Sequence, residues 1–139
     1  MNKQELAEQL ARHEGVKLKP YRDTVGKLTI GIGRNLDDKG ITELEALNML
    51  DNDIAEFAAE VCSNIRFFNA LNDARQNVLV NMAFNMGIGG LLSFENMLDA
   101  ISKGYFNKAE REMLDSKWAS QVGYRARELG RQMRTGEYQ

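Results

Sequence analysis

Two carboxylates and a hydroxyl near the start of the chain could do chemistry together: Glu14, Asp23 and Thr29. Leu6, Leu10 and Glu14 stand four residues apart, a spacing that drifts only about 40° per step around a helix. Glu14 thus continues an apolar stripe into the last turn before Gly15. A carboxyl pressed toward a core loses hydration and its pKa rises. A carboxylic acid still protonated near neutral pH can act as a general acid. The competing expectation is a frayed terminal residue turned to solvent. Asp23 opens the turn Asp23-Thr24-Val25-Gly26, where an aspartate is routine. That turn sets it beside Leu28 and Thr29. Thr29 faces away from Leu28 and Ile30, and so off the expected core face of the returning strand. A carboxylate and a hydroxyl converging there can hold a water. The three residues would then supply an acid, a base and a water-positioning donor. Two carboxylates flanking one bond is what glycoside hydrolysis requires. The spacing permits this arrangement without establishing it.

The elements that must position these residues can be read from capping and periodicity. Residues 3–14 form a helix, with Asn2 as N-cap and Gly15 as stop. Val16 and Leu18, then Leu28, Ile30 and Ile32, alternate with polar residues or glycine, the period of a hairpin. Thr42 and Glu45 make a capping box with Ile41 as its staple. Leu44, Leu47, Leu50 or Met49, Ile54, Phe57, Val61 and Ile65 then follow helical spacing, with the helix itself over residues 42–63. Such a helix is about 33 Å long, enough to connect two lobes. Residues 73–86 are apolar nearly all round and read as a buried helix ended by Gly87-Ile88-Gly89-Gly90. Three more helices are expected at 94–103, 107–121 and 124–134, with Ser93, Asn107 and Gly104 as caps and stops. The expected fold is α+β and mostly helical. A hairpin lobe (about 15–41) is joined by the connecting helix (about 42–63) to a helical lobe (about 66–139, with helix 3–14), all in one domain.

Composition narrows the function classes. The chain has 139 residues, 43% hydrophobic and 27% charged, with a net charge of −2. These values suit a globular domain rather than a disordered chain. One cysteine and one histidine exclude an intrachain disulfide and any site needing two imidazoles or four thiolates. Cys62 is expected to be a structural thiol. No apolar run reaches a membrane span, and the first residues show no signal-like segment. Residues 1–36 carry +3, residues 37–62 carry −7 and residues 116–139 carry +3. No basic tract is dense enough for nucleic acid. His13-Glu14 is not a zinc-binding motif, because residue 17 is lysine. Gly31-Ile32-Gly33 lacks the third glycine of a dinucleotide loop, and Gly87–Gly90 lacks the lysine of a phosphate loop. Asp37-Asp38-Lys39-Gly40 reads as a turn, and Trp118 as bundle packing rather than a sugar platform.

The stretch His13-Glu14-Gly15-x-x-Leu18-x-x-Tyr21-x-Asp23-x-x-Gly26-x-x-Thr29-Ile30-Gly31-x-Gly33 resembles the active-site signature of phage-type lysozymes. Gly40-Ile41-Thr42, Asn81–Gly87, Trp118, Tyr124–Arg127 and Arg134-Thr135-Gly136 extend the resemblance in order along the chain. The resemblance implies a lysozyme-like fold and cleavage of the β-1,4 bond between N-acetylmuramic acid and N-acetylglucosamine in peptidoglycan. Glu14 would protonate the leaving oxygen. Asp23, helped by Thr29, would activate or position water, with inversion. Arg125 matches an arginine that pairs near the glutamate, which would lower the pKa that burial raises. Asn35, Asn81, Phe84 and Asn85 fall where that family lines or supports its cleft, though Phe84 could equally be core. Neither metal nor cofactor is implied. The implied partner is the glycan strand, met by a monomer without nucleic acid or stable membrane insertion. The protein would accumulate in the host cytoplasm and be released with a holin's help. Arg34 stands where many relatives have histidine, so an ion pair of that histidine must be missing or rewired. The rival expectations are a lytic transglycosylase, which needs the glutamate but no water-activating aspartate, and a wall-binding module without catalysis.

Overall fold

Asn2 starts the first helix by accepting a hydrogen bond from the Glu5 N–H at 3.1 Å. The computed structural model describes all residues, Met1–Gln139. It divides into two compact units, Met1–Met49 and Leu50–Gln139. Helix α1, Lys3–Glu14, stops at Gly15, whose φ of 74° only glycine adopts without strain. The boundaries match the sequence expectation. α1 buries no residue: Leu6 and Leu10 are 39% and 42% exposed, and Glu14 is exposed, so of the two expectations the structure has the terminal residue turned to solvent and not the carboxyl pressed toward a core. The stripe exists in spacing, but nothing in this unit covers it.

The sheet has three strands rather than two. Strands β1 (Lys17–Arg22), β2 (Leu28–Gly31) and β3 (Arg34–Asn35) run antiparallel in that order. Pro20 sits where the β1–β2 register shifts, between Lys17 and Tyr21, an irregularity that tolerates a missing N–H. The two-residue β3 is too short to show any alternation in sequence. It makes β2 the central strand. Thr29 pairs with Tyr21 on one side and Asn35 on the other, so all three side chains share one face. Thr29 is consequently 3% exposed. It does face away from Leu28 and Ile30, as expected, but its face is the buried one.

Helix α2, Glu43–Asn64, runs unbroken from the first unit into the second. Its capping box forms as the sequence indicates: the Glu45 N–H donates to Thr42 Oγ1 and the Thr42 N–H to Glu45 Oε1, each at 3.1 Å. Arg34 joins this cap to the sheet, donating to Glu45 Oε1 at 2.9 Å and to the Gly40 carbonyl at 3.2 Å. The Arg34 guanidinium, reinforced by Thr42, lowers Glu45 from 4.5 to about 2. Of the apolar stripe on α2, Val61 is buried, whereas Leu44, Leu47, Leu50 and Ile54 stay exposed.

The second unit holds the hydrophobic core. Val61 and Ile65 meet Val78, Leu79, Met82 and Ala83 of α3 (Asp73–Leu92), and helices α4 (Glu95–Ser102), α5 (Phe106–Leu114), α6 (Lys117–Val122) and α7 (Tyr124–Thr135) complete it. Gly87 breaks α3 with φ 80° and ψ 164°, but helical geometry resumes through Leu92 instead of ending there. The helix expected over 107–121 is two helices, because Ser116 accepts from the Ala119 N–H at 3.1 Å and caps α6. Ser93 closes α3 rather than opening α4, and Asn107 lies inside α5, whose N-cap is Tyr105. Cys62 is partly buried against the core, 3.7 Å from Asn69 Oδ1. Arg75 of α3 ties down the end of α7, donating to the carbonyls of Met133 and Arg134 at 2.8 and 3.0 Å. Its guanidinium lies 3.5 Å from the Phe106 ring centroid. No single helix is long and apolar enough to cross a membrane.

Leu79 is fully buried, so Leu79→Ala should destabilise the protein by about 3 kcal/mol, measured by denaturant unfolding. The Glu45 shift predicts a pH dependence. Its folded pKa is lowered, so its contribution is complete above pH 4.5 and vanishes as pH falls toward about 2. Thermal melts of Glu45→Gln should show a smaller loss of Tm across that window than the parent, and a lower Tm above it.

Candidate active site

Lys27 gathers the first-unit residues. Its backbone N–H donates to Asp23 Oδ1 at 2.8 Å, and its carbonyl accepts from the Asp23 N–H at 2.9 Å. The same carbonyl accepts from Thr29 Oγ1 at 2.9 Å. Asp23 and Thr29 are therefore brought together on one residue. Asp23 Oδ1 also accepts from the Val25 N–H at 3.0 Å, closing an Asx turn. All of these bonds use Oδ1, which leaves Oδ2 without a protein donor. The Lys27 ammonium reaches Asp38 Oδ1 at 3.1 Å, and Asp38 Oδ2 accepts from Asn35 Nδ2 at 3.0 Å. This hydrogen-bonded pair raises the Lys27 pKa and lowers that of Asp38. Asn35 returns the contact, accepting from the Asp38 N–H at 2.9 Å. Asp37 Oδ2 accepts from the Leu28 N–H at 2.8 Å, securing the start of β2. Asp23, Thr29 and Asn35 thus belong to one hydrogen-bonded network.

Glu14 takes part in none of these hydrogen bonds. Its side chain lies against the backbone of Gly33, in the turn between β2 and β3. Gly33 has φ +70°, so the turn itself calls for glycine.

The other singled-out residues lie in the second unit. Arg125 donates to Asn81 Oδ1 through Nε at 3.0 Å and Nη2 at 2.7 Å. The two-pronged contact fixes the plane of the guanidinium. Asn81 and Arg125 line a cavity of about 370 Å³ together with Ile54, Asn77, Val80 and Phe84. Phe84 is 43% exposed, with its ring 5.4 Å from that of Phe57. It is therefore a wall of this cavity and not a core residue. Asn85 is differently placed, accepting from Trp118 Nε1 at 2.8 Å. Trp118 is buried edge-on against Phe94. It packs the bundle, as the sequence suggested. A groove of about 440 Å³ beside Trp118, lined by Glu95, Glu112, Asp115 and Lys117, contains none of the expected acid, base or water-positioning residues.

A small antiparallel sheet, a long continuous helix and a helical unit define an α+β protein of lysozyme-like fold, with a glutamate ending its first helix and an aspartate at its hairpin turn. Residues 11–135 match the phage lysozyme family, and the chain belongs to that family. It is 34% identical to the pre-baseplate central spike protein Gp5 of Enterobacteria phage T4, over 87% of this chain but 26% of that protein. It thus spans about a quarter of the spike protein's length. It is 28% identical to probable T4-type lysozyme 1 of Dictyostelium discoideum over 94% of both chains. It is 27% identical to the endolysin of Acyrthosiphon pisum secondary endosymbiont phage 1, over 79% of this chain and 74% of that one.

Sequence reasoning missed Lys27, Asp37 and Asp38 as supports of the site. The Asp37-Asp38 pair was visible as a turn, but its partners lie across the sheet. Asp23→Asn keeps an oxygen for the Val25 and Lys27 N–H groups, whereas Asp23→Ala removes it. Urea unfolding should show Asp23→Ala less stable than Asp23→Asn by about 1 kcal/mol.

Proposed function

We propose that this chain hydrolyses the β-1,4 bond between N-acetylmuramic acid and N-acetylglucosamine in peptidoglycan, with inversion. Glu14 is the general acid and Asp23 the base. The observation that carries this reading is the joint attachment of Asp23 and Thr29 to Lys27 with Asp23 Oδ2 left open. A base needs an oxygen free to take a proton, held in a fixed direction.

The Thr29 hydroxyl spends its proton on the Lys27 carbonyl. It therefore meets a water through its lone pairs. One water proton points to Thr29 and the other to Asp23 Oδ2. That leaves a water lone pair to attack the anomeric carbon. As the new C–O bond forms, Asp23 takes the second proton. Glu14 gives its proton to the departing glycosidic oxygen, so the charges balance. The family membership and the lysozyme and endolysin relatives support a peptidoglycan substrate.

Clearing of outer-membrane-permeabilised Gram-negative cells tests the assignment. Glu14→Gln should lower the rate by at least about 100-fold, and Asp23→Asn should also lose activity while staying folded. The released sugars should carry reducing ends of inverted configuration. Anhydro ends, or clearing that survives Asp23→Asn, would favour a transglycosylase. Sedimentation with sacculi without released ends would favour a binding module.

A further inference from the structure

We propose that Gly33 is a positioning residue for the Glu14 carboxyl: the space left by its missing side chain is where the acid rests. The inference depends on Glu14 being the acid. A Cβ built at residue 33 would lie 3.2 Å from Glu14 Oε2, 3.3 Å from Cδ and 3.4 Å from Cγ. The whole end of the side chain is laid against the glycine. Within this unit no hydrogen bond or ion pair holds the carboxyl, and the room beside Gly33 is what lets it lie there.

The neighbouring glycines show that turn geometry alone does not explain this contact. Gly15, Gly26 and Gly31 have φ of +74°, +83° and +71°, and a Cβ at any of them would meet nothing within 4 Å. Gly33 has the same backbone need, φ +70°, and in addition a neighbour. That neighbour is the far end of a flexible side chain, so a methyl group would be accommodated by rotation of Glu14. The backbone would keep its place and the acid would lose it. Small misplacements of a reacting group are expensive in rate, about 100-fold for 1 Å.

The test compares Gly33→Ala with Gly104→Ala in the full chain, since Gly104 has φ +77° and a Cβ there would also meet nothing within 4 Å. Both place a methyl group on a backbone near φ +70° and should lose similar Tm. Gly33→Ala should lower kcat by about tenfold with KM within about twofold of the parent. Gly104→Ala should keep kcat within about twofold. Equal kcat losses, or parental kcat in Gly33→Ala, would overturn the inference. Should Gly33→Ala fail to fold, side-chain couplings of labelled Glu14 in the parent decide it. A single rotamer supports the inference and averaging overturns it. Glu14→Gln separates the two levels: an active Glu14→Gln removes the acid assignment itself, whereas an inactive Glu14→Gln beside a fully active Gly33→Ala removes only the role of Gly33.

Discussion

The candidate site hangs on the backbone of one residue. Lys27 donates its N–H to the Asp23 side chain and offers its carbonyl to both the Asp23 N–H and the Thr29 hydroxyl. Its ammonium is tethered to Asp38, which Asn35 holds from the other side. Backbone groups carry most of this. They cannot rotate away as a side chain can, and their direction is set by the turn and the strand. The tether to Asp38 is solvent-exposed and worth little in isolation. Its value lies in closing the turn onto the residues after β3. Asp23 and Thr29 are six residues apart in sequence, yet they meet through a single carbonyl.

The sheet that carries this knot is tied to α2 through Arg34. A guanidinium keeps its charge across the physiological range, where a histidine would change it. The Arg34–Glu45 pair therefore stays ionised until Glu45 takes up a proton near pH 2. Glu45 also receives the Thr42 N–H, so one carboxylate both caps the helix and holds the sheet. The helix start and the hairpin's far strand are fixed together by local bonds, without burying a large side chain. That economy fits a unit in which Thr29 is the buried residue and no large apolar side chain is fully enclosed.

Much of the fold was legible because its signals are local. The Asn2 and Thr42–Glu45 caps are decided within four residues, and the structure has both. The split at Ser116 was overlooked because a serine inside an apolar-periodic stretch looks like a surface position until its hydroxyl is seen to cap. Strand β3 left no trace, since two residues cannot alternate. Without β3 the sequence reads β2 as an edge strand with Thr29 on its open face. A strand judged to be at an edge loses its cover on one side, and β2 is central. For the candidate residues, the spacing of Asp23 and Thr29 suggested convergence, but the agent that joins them is a main-chain carbonyl, which has no sequence signature. Asn81 and Arg125 are 44 residues apart, and their side-chain geometry depends on how α3 and α7 pack.

The two candidate carboxylates are placed by opposite means. Asp23 is anchored through one oxygen by two N–H donors, so the direction of the other oxygen follows from the turn. Glu14 has no such anchor within its unit and lies against Gly33. The contrast suits the tasks assigned to them. A base that works on one water needs a fixed aim, and a short side chain anchored at one oxygen has few remaining ways to move. An acid that must follow a departing oxygen through the reaction needs reach, and the longer glutamate supplies it if something keeps the side chain from wandering. A glycine there leaves room for the side chain and adds no competing hydrogen bond. Within the unit no protein group occupies the Glu14 carboxyl, so in the proposed reaction both its oxygens stay open to the departing sugar oxygen.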